Sequence, residues 1–184
     1  MSLVADDASG IISTPRLRLR YWAETHRDAF AAMHADPEVM LDYCGPISRS
    51  ESDAKLDRYM ALYREHGFAR WAIETHSGDF LGYAGVMTRG PDHPLGLHVE
   101  VGWRLVRHAW GFGYATEAAR ASLTDVFDRV GLDAVIAYTS VDNLRSQAVM
   151  DRLKMRRDLA RDFIMDYAAN KRWRGLVWEA RRSG

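Results

Sequence analysis

Two glycines spaced two apart open the stretch of this 184-residue chain best suited to chemistry. Trp110-Gly111-Phe112-Gly113-Tyr114-Ala115 follows a β-rich run, Val99 to Val106. It precedes a helical pattern in which Ala115, Ala118, Ala119, Ser122, Leu123, Val126, Phe127 and Val130 share one face. Glycine lets bare backbone N–H groups approach a ligand closely, and the first turn of a helix carries N–H groups with no internal partner. The chemistry that suits such a turn is the holding of a phosphate or pyrophosphate. Taken alone, the same text also reads as a tight turn that merely needs positive φ. A P-loop is excluded, because no lysine follows Gly113. The dinucleotide fingerprint is excluded too, because it needs a third glycine and a place after the first strand of a βαβ unit.

Other reactive residue types lack a supporting pattern. Cys44 has no histidine or aspartate context for a nucleophile, and as the single cysteine it forms no intrachain disulfide. His26, His34, His66, His76, His93 and His108 show neither i,i+4 nor cysteine-paired spacing, so no metal site is expected. Lys+Arg and Asp+Glu both number 25, a balance that argues against a broad nucleic-acid surface. Free thiol chemistry, an acidic N-terminus without an apolar core, and no apolar run near the roughly 20 residues of a membrane span lead us to expect a cytoplasmic protein with no membrane partner.

Residues 1–13 are expected to be a flexible leader and residues 14–184 a single domain. Leu17, Leu19 and Tyr21 alternate with arginines as in a half-buried strand. Thr25 is placed to cap a helix from His26 to about His34, and a second helix is expected from about Ser50 to His66, stopped by Gly67. Phe68 to Thr75 and Phe80 to Met87 read as a hairpin around His76-Ser77-Gly78-Asp79. Leu95 opens the strand that enters the glycine turn. Beyond the central helix, Ala134 to Thr139 reads as a strand and Asn143 to Leu153 as a helix. Met155 to Met165 and Arg172 to Ala180 are read as two last strands joined by residues 167–171. This order implies an α/β fold with a sheet mixed in direction and helices on both faces.

Several of these segments together resemble the GNAT N-acetyltransferase superfamily. The glycine turn resembles its acyl-CoA motif, Gln/Arg-x-x-Gly-x-Gly/Ala opening a helix, with Trp110 where Gln or Arg is usual. That departure, followed by Gly-Tyr-Ala-Thr-Glu-Ala, is similar to the RimJ/RimL branch. Thr14-Pro15-Arg16-Leu17-Arg18-Leu19-Arg20 resembles the branch's first strand and Glu100-Val101-Gly102-Trp103 its fourth. Asn143-x-x-Ser146 with Val149-Met150-Asp151-Arg152-Leu153 resembles its second cofactor motif. The resemblance covers nearly the whole chain. Arg107 in place of a common proline and Lys154-Met155 in place of Gly-Phe depart from it.

The resemblance implies a twisted, mostly antiparallel sheet of about seven strands, with acetyl-CoA as co-substrate. Main-chain groups of Trp103, Arg104 and Leu105 would pair with the pantetheine arm. The N–H groups of Gly111, Phe112, Gly113, Tyr114, Ala115 and Thr116, with Trp110 leading, would surround the pyrophosphate. The helix dipole adds roughly 0.3–1 kcal/mol there. Asn143 would bond the pantetheine, or serve as a plain helix cap. Met150 stands where many members carry a tyrosine that protonates the leaving thiolate; RimL-like relatives use a serine one turn earlier, which is Ser146 here, otherwise a helix-face hydroxyl. The reaction is direct attack of a primary amine on the thioester. An α-amine of pKa about 8 is ~10% neutral at pH 7, against ~0.04% for lysine, so a weak base acting through water suffices. Glu100 is that candidate base, its alternative being a carboxylate paired to an arginine. Glu74 and His98 are lesser candidates, and His98 shares Glu100's side of the strand. A non-catalytic acyl-CoA-binding module stays open, as do the acceptor and the choice between monomer and homodimer.

Overall fold

The computed structural model of the protein describes residues 5–6, 10–43, 45–167 and 171–182. Among these, ten strands form one sheet covered by four α-helices. Strands β1 (Ala5–Asp6), β2 (Ile11–Ser13) and β3 (Leu17–Arg20) lead to α1 (Arg27–Ala35) and α2 (Arg49–His66). Then follow β4 (Arg70–Thr75), β5 (Phe80–Arg89), β6 (His98–Leu105), α3 (Tyr114–Asp125), β7 (Ala134–Ser140) and α4 (Leu144–Arg152). The chain finishes with β8 (Arg156–Arg157), β9 (Phe163–Tyr167) and β10 (Lys171–Arg181). The sheet order is β1-β2-β3-β4-β5-β6-β7-β10-β8, with β9 also on β10, and every pair is antiparallel except β6 with β7. This is the expected mixed, mostly antiparallel α/β sheet. It exceeds seven strands because short edge pieces, β1, β2 and β8, were too brief to show a period.

The two faces are divided by alternation along the strands, interrupted by a bulge where Ile73 and Glu74 face Gly82 and Phe80. On one face Phe30, Met33, Leu56 and Tyr59 of α1 and α2 pack against Ala72, Tyr83 and Met87. On the other, Ala118 and Ala121 of α3 meet Leu19, Ile73, Ala84 and Leu105, while Ala119, Leu123 and Met150 meet Val86, Val101, Val135 and Ala137. Each such large side chain taken from water stabilises the fold by roughly 1.5–3 kcal/mol. The small residues of α3 bring its backbone close to the sheet, which fixes where its N-terminus lies.

Local signals explain most element ends. Ser48 accepts from Glu51 N–H (3.2 Å) while the Glu51 carboxylate accepts from Ser48 N–H (2.7 Å), a reciprocal cap that starts α2 at Arg49. Gly67, at φ 72°, closes it. The expected Thr25 cap is replaced by a ring: Ala23 N–H donates to His26 Nδ1 (2.9 Å), and a 3₁₀ turn, Glu24–His26, precedes α1. Ile11–Ser13, expected within a loose leader, pair with β3, and Ile12 is 5% exposed. The single strand expected over Met155 to Met165 is two, β8 and β9. A 3₁₀ turn, Leu159–Arg161, interrupts it, held by Asp158 to Arg161 (2.8 Å) and by Arg157 to Asp162 (2.6 Å). Of the expected joining loop, residues 168–170 lie outside the described residues, as do Cys44 and most of the first nine.

Candidate active site

The glycine turn is built from backbone. Gly111 and Gly113 adopt φ 86° and 80°, the left-handed region that a side chain resists, and a Cβ at Gly111 would meet nothing within 4 Å. The first α3 bond runs from Glu117 N–H to Gly113 C=O (3.1 Å), which leaves the N–H groups of Tyr114, Ala115 and Thr116 without intrahelical acceptors. Thr116 Oγ1, on a residue 8% exposed, is also unpartnered. Open space over Gly111, the Arg16 guanidinium 3.6 Å from a Cβ built on Gly113, unused donors and an orphan hydroxyl fit a pyrophosphate.

Side chains hold this turn in place. Trp110 is turned inward, its Nε1–H donating to Leu105 C=O (3.0 Å), and the Arg145 guanidinium lies 4.3 Å from its ring centroid. Trp110 therefore anchors the turn to the end of β6 instead of facing an anion. From the other side, Arg16 donates to Phe112 C=O (2.8 Å) and pairs with Glu117 (Nε to Oε2, 2.6 Å). Thr14 Oγ1 donates to Glu117 Oε1 (2.6 Å). Burial pulls the Glu117 carboxyl upward, but the bonds from Thr14 and Arg16 outweigh it and hold its pKa below the usual range. The reading of the sequence missed this brace. Thr14 and Arg16 were visible only as a strand motif, 103 and 101 residues from their partner.

Beside the turn, the sheet opens. β6 and β7 run parallel and share one register position, Glu100 opposite Ile136. Beyond it, Trp103, Arg104 and Leu105 pair with β5 on one side only, among the described residues. Their main-chain groups on the other edge border the gap between the parted strands. Trp103 is packed between the two clusters under α3 and α4, so any part it plays toward a ligand there is carried by its main chain.

Glu100, 3% exposed, lies at the fork. Its Oε1 is 2.5 Å from Arg70 Nη2 and 3.1 Å from Arg89 Nε, and the carboxylate also takes a hydrogen bond from Tyr138. Burial opposes its charge, yet Arg70 and Arg89 prevail and hold its pKa below the usual carboxylate range. The arginine-paired alternative is thus what the geometry displays. None of Arg70, Arg89 and Tyr138 was singled out from the sequence. Arg70, an arginine opening an apolar strand, was the available signal. Glu74 is likewise taken up, bonded to His26 Nε2 (2.8 Å) and Arg20 (3.3 Å). His98 does share Glu100's side of β6. Its Nδ1 donates to Gly96 C=O (2.7 Å), and its ring is 6.0 Å from that of Tyr138.

The last predicted residues lie at the start of α4. Asn143 caps the helix, its Oδ1 accepting from Ser146 N–H (3.1 Å), and its Nδ2 reaches Asp42 (3.4 Å). Ser146 is half-buried in the first turn. Met150 is 1% exposed among Ala119, Val135 and Trp178, so that position supplies packing. Lys154, where the family pattern has glycine, takes φ 57° and keeps the turn a glycine would make, while Met155 fills the core at 6% exposure. Among the described residues no group of three or more histidine, cysteine or acidic side chains could hold a metal ion. None of their helices is long and apolar enough to cross a membrane.

A mixed sheet that forks between two parallel central strands, next to a glycine-entered helix, defines a fold class built to hold an extended, phosphate-bearing ligand along the fork. The acetyltransferase (GNAT) domain model matches residues 16–156, and the chain belongs to that family of acyltransferases. An acetyltransferase from Agrobacterium tumefaciens has the same fold at TM-score 0.78 and 25% identity, with 94% of each chain covered. RimL, a ribosomal-protein α-N-acetyltransferase solved with coenzyme A, matches at TM-score 0.72 and 18% identity, covering 93% of this chain and 97% of that one. An FsC-acetyl coenzyme A-N(2)-transacetylase of Aspergillus fumigatus is 30% identical over 150 residues, 78% of this chain and 63% of the relative.

Proposed function

We propose that the protein transfers the acetyl group of acetyl-CoA to a primary amine by direct attack, in the manner of the RimJ/RimL branch. The observation that carries this reading is the alignment of two features: the fork at Glu100 and, at the end of the same strand, the unsatisfied N–H groups of the Gly111–Thr116 turn. Main-chain groups of Trp103, Arg104 and Leu105 would hold the pantetheine. The turn would take the pyrophosphate, and Asn143 would set the first turn of α4 beside the thioester.

The acceptor loses a proton and the thiolate gains one. Glu100 is the proposed proton acceptor through water, but two guanidinium groups make it a poor base. The reaction therefore favours an amine with a sizeable neutral fraction, an α-amine of pKa about 8 over a lysine near 10.4. Ser146 is the proposed donor to the departing sulfur. Titration calorimetry with acetyl-CoA, followed by a thiol-release assay over a panel of amines, tests the proposal; no uptake at high micromolar overturns it. Uptake without product from any amine favours the non-catalytic module instead. Ser146→Ala is expected to retain acetyl-CoA affinity and lose turnover by about 100-fold, the low end for a general acid.

A further inference from the structure

The face opposite α3 and α4 carries a second group of charges that the reading above leaves unused. Lys55 of α2 reaches over Tyr83 of β5, its Nζ 5.8 Å from that ring's centroid and 4.7 Å from the centroid of Tyr43. The Tyr83 hydroxyl and the cations Arg104 and Arg58 lie within its electrostatic reach. Arg104 of β6 converges on the same phenol. Its guanidinium also donates to the Val39 carbonyl and to both Asp42 oxygens, at 2.9 Å and 3.4 Å. The Asp42 carboxylate is thus taken up by Arg104 and by Asn143 Nδ2 (3.4 Å).

A partly buried cation gains from a counter-charge, and the groups named, Lys55 and Arg104 against Asp42, leave one positive charge over. Tyr83, 5% exposed, registers the imbalance. Burial resists its ionisation, yet the charges of Lys55, Arg104 and Arg70 hold the phenol below its usual range. The place matters as much as the charge. Arg104 lies on the part of β6 that has already left β7. Asp42 joins it to Asn143 at the head of α4 (3.4 Å), so the cluster stands at the mouth of the fork. Leu41 and Leu144, 81% and 70% exposed, flank that bridge and give the mouth an apolar rim.

We infer that Lys55 and the Tyr83 hydroxyl, with Arg104 beside them, form the seat for a carboxylate carried by the acceptor, so that the substrates are amines bearing a free carboxylate. This rests on the acetyl-transfer reading and narrows it. Asp42 on Arg104 shows the planar two-pronged contact a carboxylate makes with a guanidinium. Lys55 is the cation left for the substrate.

The test uses product analogues and needs no turnover. The protein is first loaded with CoA, then titrated calorimetrically with N-acetylglycine, N-acetyl-β-alanine and N-acetyl-γ-aminobutyrate, and with the amide of each. At least one acid is expected to bind 10-fold or more tightly than its amide. Lys55→Met, which keeps the apolar stem, is expected to abolish that preference with CoA affinity unchanged, and Lys55→Arg to retain it. Equal binding of every acid and its amide, no binding of any acid at millimolar concentration, or a preference that survives Lys55→Met overturns the inference. Failure of the wild-type protein to take up CoA shows at the loading step, and it removes the acetyl-transfer reading and this one together.

Discussion

The two sides of the fork are made of different materials. The proposed donor side, from Trp103 to Thr116, is one continuous stretch that would work through backbone N–H and C=O groups, exposed by two left-handed glycines and a helix start. On the proposed acceptor side the groups in question are all side chains. Arg70, Arg89, Glu100 and Tyr138 come from four successive strands of the sheet, and Lys55, Tyr83 and Arg104 from a helix and two strands. A backbone site needs local conformation, which few residues control. A side-chain site needs register, because shifting a strand by one residue sends every group to the other face. The donor side should therefore fail by single steric events, and the acceptor side by loss of charge balance.

The largest effect that would test this contrast is on stability. Glu100→Gln leaves Arg70 and Arg89 short of their shared counter-charge. Breaking a buried pair in this way costs about 3–5 kcal/mol, seen as a clear drop in Tm, while the acetyl-CoA affinity of the folded fraction stays unchanged. Gly113→Val attacks the other side, since a β-branched residue at φ 80° cannot keep the turn. Calorimetry should show acetyl-CoA affinity falling by about 100-fold or more, some 2.7 kcal/mol, with a smaller change in Tm. If Gly113→Val instead binds normally, the donor side is not a backbone site.

Acid should discriminate the sides as well. His34, a fully buried residue of α1, has its pKa lowered to about 3, chiefly by burial and then by the charges of Lys55 and Arg104. The unfolded chain binds a proton there below about 6.5 and the folded chain does not, so stability falls as pH drops through that range. The loss at pH 5 is about 2 kcal/mol for this group, and His34→Gln should flatten the slope of Tm against pH between 6.5 and 4. The smallest change belongs to neither side but to the turn that closes α4. Lys154→Gly relieves a left-handed residue after α4 and should add about 1 kcal/mol, raising Tm by roughly 2–4 °C.

Legibility followed the same division. Gly111 and Gly113 were read directly, since a glycine pair before an amphipathic helix states a backbone conformation. The face of α3 was equally plain: Ala118, Ala119, Ser122 and Leu123 are buried, as is Val126 in the wider turn Val126–Val130 that follows, while Ala115, Phe127 and Val130 of the expected stripe are half-buried. Trp110 was read for its position in the motif, yet its indole serves as an anchor to Leu105, which no spacing announces. Glu100 was found as a residue, but not its partners. Arg70 lies 30 residues away and meets it only because β5 stands between β4 and β6 at one register. The histidine cap of α1 and the two-residue strand β8 escaped for a simpler reason: neither leaves a periodic trace.

By itself, then, the amino-acid order determined the longer elements, most of the alternation that assigns each face, and the turn that opens α3, because each depends on neighbours within one or two turns of chain. Only the tertiary structure decided that Glu100 is a clamped anion, that β6 and β7 part just beyond it, and that Lys55 and Arg104 meet over one phenol. Those outcomes depend on strand order and register, which local preferences along the chain leave undetermined.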